Sequence, residues 1–179
     1  GNMVTQKILI PIYRDTPPRD NAANFARLRK MRVAVSSLLF GFVGVFALGA
    51  DWLVPVLYDP RYAQAGGVAV VLACAQMPAL IVMTYDQAAL AAGDSRRFFV
   101  LALMRAVLVW AGLMAGLAAG GLLGALVGLG AAYVAAYPVV VWLARHMGAW
   151  DPLHDMVFAG LALGLAACAL WVNWGAVVQ

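Results

Sequence analysis

The stretch that decides the fold runs from Phe98 to Ala144 and reads FFVLALMRAVLVWAGLMAGLAAGGLLGALVGLGAAYVAAYPVVVWLA. A helix that crosses a bilayer needs about 20 apolar residues, so one helix over this whole stretch would overshoot the membrane. Gly120 and Gly121 lie near its middle, where paired glycines favour a turn. The stretch therefore predicts two transmembrane helices, over about residues 98–119 and 122–144.

Glycines recur at every fourth position of this stretch, at 112, 116, 120, 124 and 128. Small residues at this spacing let two helix backbones approach closely. We interpret the glycines as a packing surface in preference to a gating element.

The composition of the whole chain agrees with a membrane protein. Hydrophobic residues make up 65% of the 179 positions and charged residues 11%, whereas soluble domains average about 45–50% apolar and about 25% charged residues. A soluble fold could not bury so much apolar surface, but lipid can cover it. The net charge of +4 comes largely from one short stretch. This argues against a nucleic-acid partner, which would require a basic surface on a folded domain.

Three further apolar segments are long enough to cross a bilayer. Together they predict an all-α membrane protein, a bundle of about five transmembrane helices in residues 33–179. Residues 1–32 are predicted to be the end of a preceding helix and a basic amphipathic linker, so we expect the chain to continue a longer protein. The predicted spans are about 33–57, 67–92, 98–119, 122–144 and 156–174.

Basic residues alternate between the predicted connections. Lys and Arg concentrate on the cytoplasmic side of membrane proteins. The segment before the first span is rich in them, the next connection holds only Arg61, and Arg96 and Arg97 follow the second span. The glycine turn has none, and Arg145 follows the fourth span. We therefore predict that residues 11–32 are cytoplasmic and that the chain ends on the opposite side.

Residues 21–32 are predicted to form a short amphipathic helix, because Phe25, Leu28 and Met31 recur on one side. Two roles are open for the basic side chains around them. They can contact anionic lipid headgroups or a lipid diphosphate, or they can simply anchor the topology. These basic side chains are Arg27, Arg29, Lys30 and Arg32.

Two charged residues lie inside predicted spans, where an ionised group is costly and usually faces a cavity or a partner. Asp86 lies nine residues before, and Arg105 ten residues after, the loop centre at Ser95. At about 1.5 Å per residue, both lie roughly 14 Å from that centre. They can form a structural ion pair or contact a substrate directly. Tyr85 and Gln87 flank Asp86 and add hydrogen-bonding capacity, so all four are candidate substrate-binding residues.

Enzyme signatures are missing from the sequence. There is no phosphate-binding glycine loop, no serine elbow and no Glu residue. His146 and His154 lie in a predicted loop without a Cys or Glu cluster, so a zinc site is not expected. We predict a protein that is not an enzyme and that holds no metal or other cofactor.

Four stretches occur in a recognisable order: a helix exit into a basic segment, a span end with a short external loop, a small-residue turn with arginines, and a glycine-rich helix start. They are Ile8–Arg14 (ILIPIYR), Gly49–Tyr58 (GADWLVPVLY) with Arg61, Tyr62 and Ala65, Ala89–Arg97 (ALAAGDSRR), and Gly121–Ala125 (GLLGA). Together they resemble the C-terminal part of the polysaccharide transporters. These are the lipid-linked oligosaccharide (O-antigen) flippases of the multidrug/oligosaccharidyl-lipid/polysaccharide exporter superfamily.

The resemblance implies a flippase that moves a polyprenyl-diphosphate-linked oligosaccharide across the bacterial inner membrane, for surface polysaccharide and lipopolysaccharide biosynthesis. It implies two six-helix bundles around a cavity, with residues 1–13 ending the eighth helix and the first four spans forming helices nine to twelve. The fifth span departs from a twelve-helix pattern. Arg105 is the candidate contact for the diphosphate. The implied partners are membrane lipids, the lipid-linked oligosaccharide, a polysaccharide polymerase and a chain-length regulator.

Two other functions stay open, namely a drug or lipid II exporter of the same superfamily and a non-catalytic membrane scaffold subunit. A membrane-embedded acyl- or glycosyltransferase would require a His/Asp or paired-carboxylate cluster at one interface. The sequence does not predict such a cluster.

Overall fold

A computed structural model describes residues 22–57, 63–86 and 94–177. These ranges are helical and contain no strand. The helices are α1 (Ala22–Leu57), α2 (Ala63–Val82), α3 (Ser95–His146), α4 (Pro152–Val172) and a final single turn, α5 (Trp174–Val177). The predictions for residues 1–21 lie outside the described residues.

Three of the described helices are long and apolar enough to cross a membrane. They are α1, through its 25 residues from Phe25 to Gly49, the 52-residue α3 and the 21-residue α4. The apolar part of α2, from Gly66 to Val82, is shorter. The all-helical fold class is confirmed, and the number of helices is close to the prediction.

The long helix α3 is interrupted at its centre, where the sequence predicts a turn. Gly120 has φ −152° and ψ 28°, and Gly121 has φ 60° and ψ −144°. A positive φ is open to glycine at little cost because glycine has no Cβ. Residues 95–119 and 122–146 therefore form the two halves of α3, called α3a and α3b below.

The recurring glycines bring α3a and α3b together. A methyl group built on Gly116 would overlap the carbonyl group of Gly124, and one built on Gly112 would overlap the carbonyl of Gly128. The two pairs are symmetric about the turn, so α3a and α3b run antiparallel with their backbones in contact. The predicted packing role is confirmed for Gly112, Gly116, Gly124 and Gly128, whereas a methyl group on Gly120 would meet nothing within 4 Å because that residue belongs to the turn.

The first helix differs from the prediction because it has no boundary near residue 32. The predicted amphipathic segment and the predicted first span form one helix, α1, of 36 residues. No Gly or Pro occurs between Ala22 and Phe40, so nothing in the local sequence ends the helix there. The basic residues of this segment therefore lie on the first turns of a membrane-length helix.

The second helix also differs, since it ends at Val82 while the predicted span runs to Ala92. The chain turns over residues 83–85, and the backbone N–H of Tyr85 donates to the carbonyl oxygen of Val82 at 3.0 Å. Residues 87–93 are outside the described part. The Tyr85 side chain belongs to a buried polar cluster, described below, in which its hydroxyl contacts Asp155 of α4. A hydropathy pattern does not predict such a contact between residues distant in sequence.

Contacts at both ends of the bundle define the relative direction of α1 and α4. Ser36, in the N-terminal half of α1, contacts His154 in the first turn of α4. Further along α1, the carbonyl oxygen of Ala47 accepts from the side-chain amide of Asn173, just after the end of α4, at 3.2 Å. The two helices are therefore parallel. Three helical segments, α2, α3a and α3b, separate them along the chain.

Asp94 caps the N-terminus of α3. Its carboxylate accepts a hydrogen bond from the backbone N–H of Arg97 at 3.0 Å and pairs with the guanidinium of the same residue. The backbone hydrogen bond, followed by the Arg97 side chain, lowers the pKa of the Asp94 carboxyl. A lowered pKa means that the stabilisation is present above the pKa of the unfolded chain and is lost as the pH falls through the folded value.

We expect Asp94→Ala to lower the thermal midpoint of unfolding at neutral pH, because the first N–H groups of α3 lose their cap. Asp94→Asn serves as the control, since asparagine caps about as well but carries no charge. The wild type should lose stability as the pH falls and converge on Asp94→Asn. An identical acid profile for the wild type and Asp94→Ala would contradict this account.

Candidate functional site

The two intramembrane charges predicted from the sequence form an ion pair. Both terminal nitrogens of Arg105 donate to the two carboxylate oxygens of Asp86, at 2.7 and 2.8 Å. The side chains retain 24% and 14% of their exposure, respectively. This fork-on-fork geometry is the one by which guanidinium also binds phosphate. The pair links the 83–86 segment to α3a, and its role in substrate binding stays a prediction.

The residues that flank Asp86 do not join this pair. Tyr85 is only 1% exposed, and its hydroxyl donates to Asp155 of α4 at 2.7 Å. Gln87 lies outside the described residues. In the 83–86 segment, the Tyr85 side chain therefore contacts α4, and the Asp86 side chain contacts α3a.

A buried polar cluster lies between the N-terminal half of α1 and the first turn of α4. Each of its six principal side chains is at most 3% exposed, although all are polar or charged. Burial of such groups is tolerated when they are paired and hydrogen-bonded. The cluster consists of Arg32, Ser36, Tyr85, Asp151, His154 and Asp155.

Asp155 is the centre of the cluster. Its carboxylate accepts hydrogen bonds from the hydroxyl of Tyr85 at 2.7 Å and from the hydroxyl of Tyr137 at 2.9 Å. The third partner is Nδ1 of His154, at 3.1 Å. Three elements, the 83–85 turn, α3b and α4, therefore meet at one buried carboxylate.

The local sequence of α4 explains how His154 and Asp155 reach the bundle interior. Asp151 is the N-cap, and its side chain accepts from the backbone N–H of His154 at 3.2 Å. Pro152 occupies the first turn, where its missing N–H has no intrahelical partner to lose. The cap fixes the first turn of α4, from which His154 contacts α1 and Asp155 contacts the 83–85 turn and α3b.

The second acidic residue of the cluster, Asp151, connects the N-terminus of α4 to α1 and to the 83–85 turn. Its carboxylate lies 3.1 Å from Nε of Arg29, and its backbone N–H donates to the hydroxyl of Tyr85 at 3.2 Å. Arg29, at the border of the cluster, and Asp151 therefore form an ion pair across the α1–α4 interface.

The four basic residues proposed for lipid headgroups occupy different environments. Arg27 and Lys30 are exposed and remain available to headgroups. Arg29 is partly exposed and pairs with Asp151. Arg32 departs from the expectation because it is 2% exposed and lies 4.3 Å above the Tyr85 ring. It faces the bundle interior because it is on the side of α1 that packs against α4 and the 83–85 turn.

The sequence pattern does not predict this cluster, and it predicts a loop at His154, which the structure places in the first turn of α4. The hydrogen-bond partners Ser36 and His154 are 118 positions apart, so no local pattern connects them. One local signal, the Asp151-Pro152 pair, does indicate that a helix begins here, because Asp is a common N-cap and Pro is common in the first turn. This signal predicts that His154 lies in a helix. A His/Asp cluster at one end of the bundle does exist, contrary to the expectation.

A groove of about 360 Å³ opens beside the cluster, between α2, α3b and α4. Most of its wall is apolar, and Asp155 together with the tyrosine hydroxyls supplies its polar edge. Residues that line it include Pro78, Tyr133, Tyr137, Asp155, Met156 and Leu163. In the described part of the chain, no group of three or more His, Cys, Asp or Glu residues is arranged to hold a metal ion.

No protein-family model, curated protein or solved structure matches the chain. In the part of the chain that the structure describes, the fold is all-helical and three helices are long and apolar enough to span a membrane. An internal ion pair and a buried polar cluster lie within it.

Proposed function

We propose that this chain is part of a membrane flippase that moves a polyprenyl-diphosphate-linked oligosaccharide across the bacterial inner membrane for surface polysaccharide biosynthesis. The observation that carries the proposal is the ion pair between Asp86 and Arg105 in a bundle of apolar helices. The resemblance of four sequence stretches to the polysaccharide transporters supports the same conclusion.

The geometry of the pair suits an exchange of anions at Arg105. A guanidinium presents two parallel N–H groups, which match a carboxylate or a phosphate equally well. Asp86 occupies that fork in the structure. In the proposed mechanism, the substrate diphosphate displaces the Asp86 carboxylate, and the carboxylate returns when the substrate leaves. Arg105 therefore stays paired in both states, so no guanidinium is left isolated in the membrane, and the displaced Asp86 carboxylate takes up a proton or turns to water.

The distribution of charge supports an orientation. Apart from Arg105, the described basic residues lie where α1, α3a and α4 begin and α3b ends. Because Lys and Arg concentrate on the cytoplasmic side, we propose that this end is cytoplasmic and that the exposed Arg27 and Lys30 contact anionic lipid headgroups there. These residues are Arg27, Arg29, Lys30, Arg32, Arg96, Arg97 and Arg145.

We expect Arg105→Gln to reduce flipping by about 10- to 100-fold, because a charge-assisted hydrogen bond contributes about 1.5–3 kcal/mol. Asp86→Asn should retain flipping, since the guanidinium that meets the diphosphate remains. The measurement is the initial rate of transfer of a fluorescent polyprenyl-diphosphate oligosaccharide between leaflets of proteoliposomes containing the full-length protein.

Trp110→Phe is the matched control, because Trp110 lies on the same helix half and is 68% exposed. The amount of folded protein is compared by size-exclusion chromatography in detergent. Equal loss of flipping in Asp86→Asn and Arg105→Gln, in proportion to lost folded protein, would contradict a binding role for Arg105.

A non-catalytic scaffold subunit is the second candidate function. It is favoured by the closed geometry of the pair, in which Asp86 already satisfies both terminal nitrogens of Arg105. Such a pair can serve as a static link between the 83–86 segment and α3a. Absence of flipping by the wild type, with destabilisation in both single variants, would favour the scaffold.

A further inference from the structure

We propose that His154 is a proton-binding site, in which one proton adds to Nε2 of the buried imidazole and Asp155 holds the resulting positive charge. The site itself follows from the geometry of the cluster. Only its consequence for transport rests on the proposed flippase function.

The partners of His154 define its neutral state. The Asp155 carboxylate accepts hydrogen bonds, so Nδ1–H donates to it at 3.1 Å. Nε2 then has a free lone pair and accepts from the hydroxyl of Ser36 at 2.9 Å. Both ring nitrogens are satisfied, although the side chain has no exposed surface.

The protonated state can form with the same neighbours. When a proton adds to Nε2, the new N–H donates to the oxygen of Ser36, which is a donor and an acceptor alike. The Ser36 hydroxyl hydrogen turns to another acceptor, and a helical serine can use the carbonyl one turn earlier. Nδ1–H keeps its bond to Asp155. No covalent bond other than the new N–H forms or breaks.

Charged and titratable groups reach the cluster from every packed element. α1 contributes Arg29 and Arg32, the 83–85 turn contributes Tyr85, α3b contributes Tyr137 and Arg145, and α4 contributes Asp151 and Asp155. With a neutral imidazole, the two carboxylates balance the two arginines of α1. Uptake of one proton adds a positive charge between α1 and α4.

This change in charge links proton uptake to the position of two helices. The protonated imidazole is attracted by Asp155 and repelled by the arginines of α1. Asp155 and Tyr137 also border the groove between α2, α3b and α4, so the carboxylate that holds the charge lies at the edge of an open cavity. Protonation should therefore weaken the contact of α1 with α4, and a flippase can use this movement in its transport cycle.

The same side chains match the nucleophile, base and orienting acid of serine hydrolases. Ser36 has no exposed surface, so a substrate carbonyl cannot reach its hydroxyl. We therefore expect a fluorophosphonate probe to leave Ser36 unlabelled. Labelling of Ser36 would overturn the proton site in favour of a hydrolase.

The direct test is solid-state NMR of the full-length protein labelled with ¹⁵N-histidine and reconstituted in lipid, over about pH 5 to 8, where histidine changes charge. The His154 signals are identified by their absence in His154→Gln. We expect both ring nitrogens to shift toward the imidazolium values as the pH falls. Signals of one neutral tautomer throughout this range would overturn the proposal.

The transport test uses the same proteoliposomes with the pH varied. Flipping by the wild type and by His146→Gln, the control outside the cluster, should change several-fold across this range, whereas His154→Gln should be pH-independent. Retention of the wild-type pH profile by His154→Gln would overturn the link between proton uptake and transport. Absence of flipping in every protein would contradict the flippase function, while the NMR titration still decides the proton site.

Discussion

Replacing Gly116 by alanine is expected to destabilise the protein by about 2 kcal/mol, the usual effect of overpacking a close contact. The added methyl group would overlap the carbonyl group of Gly124, and a backbone group cannot move aside as a flexible side chain can. α3a and α3b would have to separate along their length. The measurement is the free energy of unfolding in detergent micelles, from a denaturant titration followed by circular dichroism.

The matched control is Gly160→Ala on α4. A methyl group there meets nothing within 4 Å, and alanine favours a helix over glycine by up to about 1 kcal/mol. This variant should be as stable as the wild type or slightly more stable. If Gly116→Ala were equally stable, the close backbone contact between α3a and α3b would be wrong.

Replacing Asp155 by alanine should destabilise the protein by about 3–5 kcal/mol, which is typical when one partner of a buried charged group is removed. The change leaves the hydroxyls of Tyr85 and Tyr137 and the imidazole of His154 without their acceptor. It also removes a negative charge that opposes the buried Arg32. The free energy of unfolding in detergent measures this effect.

Two further variants separate the hydrogen bonds from the charge. Asp155→Asn keeps one acceptor oxygen and should cause a smaller loss. Met156→Ala alters the neighbouring residue, which is 73% exposed, and should change stability little. If Asp155→Ala were no less stable than Met156→Ala, Asp155 would not be the centre of the cluster.

The features that the sequence predicts well depend on short separations along the chain. The turn at Gly120-Gly121 and the glycine contacts follow from a four-residue spacing within one apolar stretch. The facing of Asp86 and Arg105 agrees with their similar distances, nine and ten residues, from the centre of one loop. For the glycines, helix geometry alone converts residue numbers into positions, whereas the chain turns over residues 83–85 before it reaches Asp86.

The features that the sequence does not predict depend on contacts between distant elements. The end of α2 at Val82 coincides with the insertion of Tyr85 into the buried cluster. The inward side of α1, which buries Arg32, becomes evident only when α4 is packed against it. For His154, the partner Ser36 belongs to a helix near the other end of the sequence, and hydropathy carries no information about such pairings.

The central claim is that Arg105 exchanges Asp86 for the diphosphate of a lipid-linked substrate. The most direct measurement is the affinity of a polyprenyl-diphosphate oligosaccharide for the purified full-length wild type, Asp86→Asn and Arg105→Gln. Asp86→Asn should bind more tightly than the wild type, because no carboxylate competes for the guanidinium. Arg105→Gln should bind at least about tenfold more weakly, which corresponds to about 1.4 kcal/mol. Equal affinity in all three folded proteins would contradict the claim.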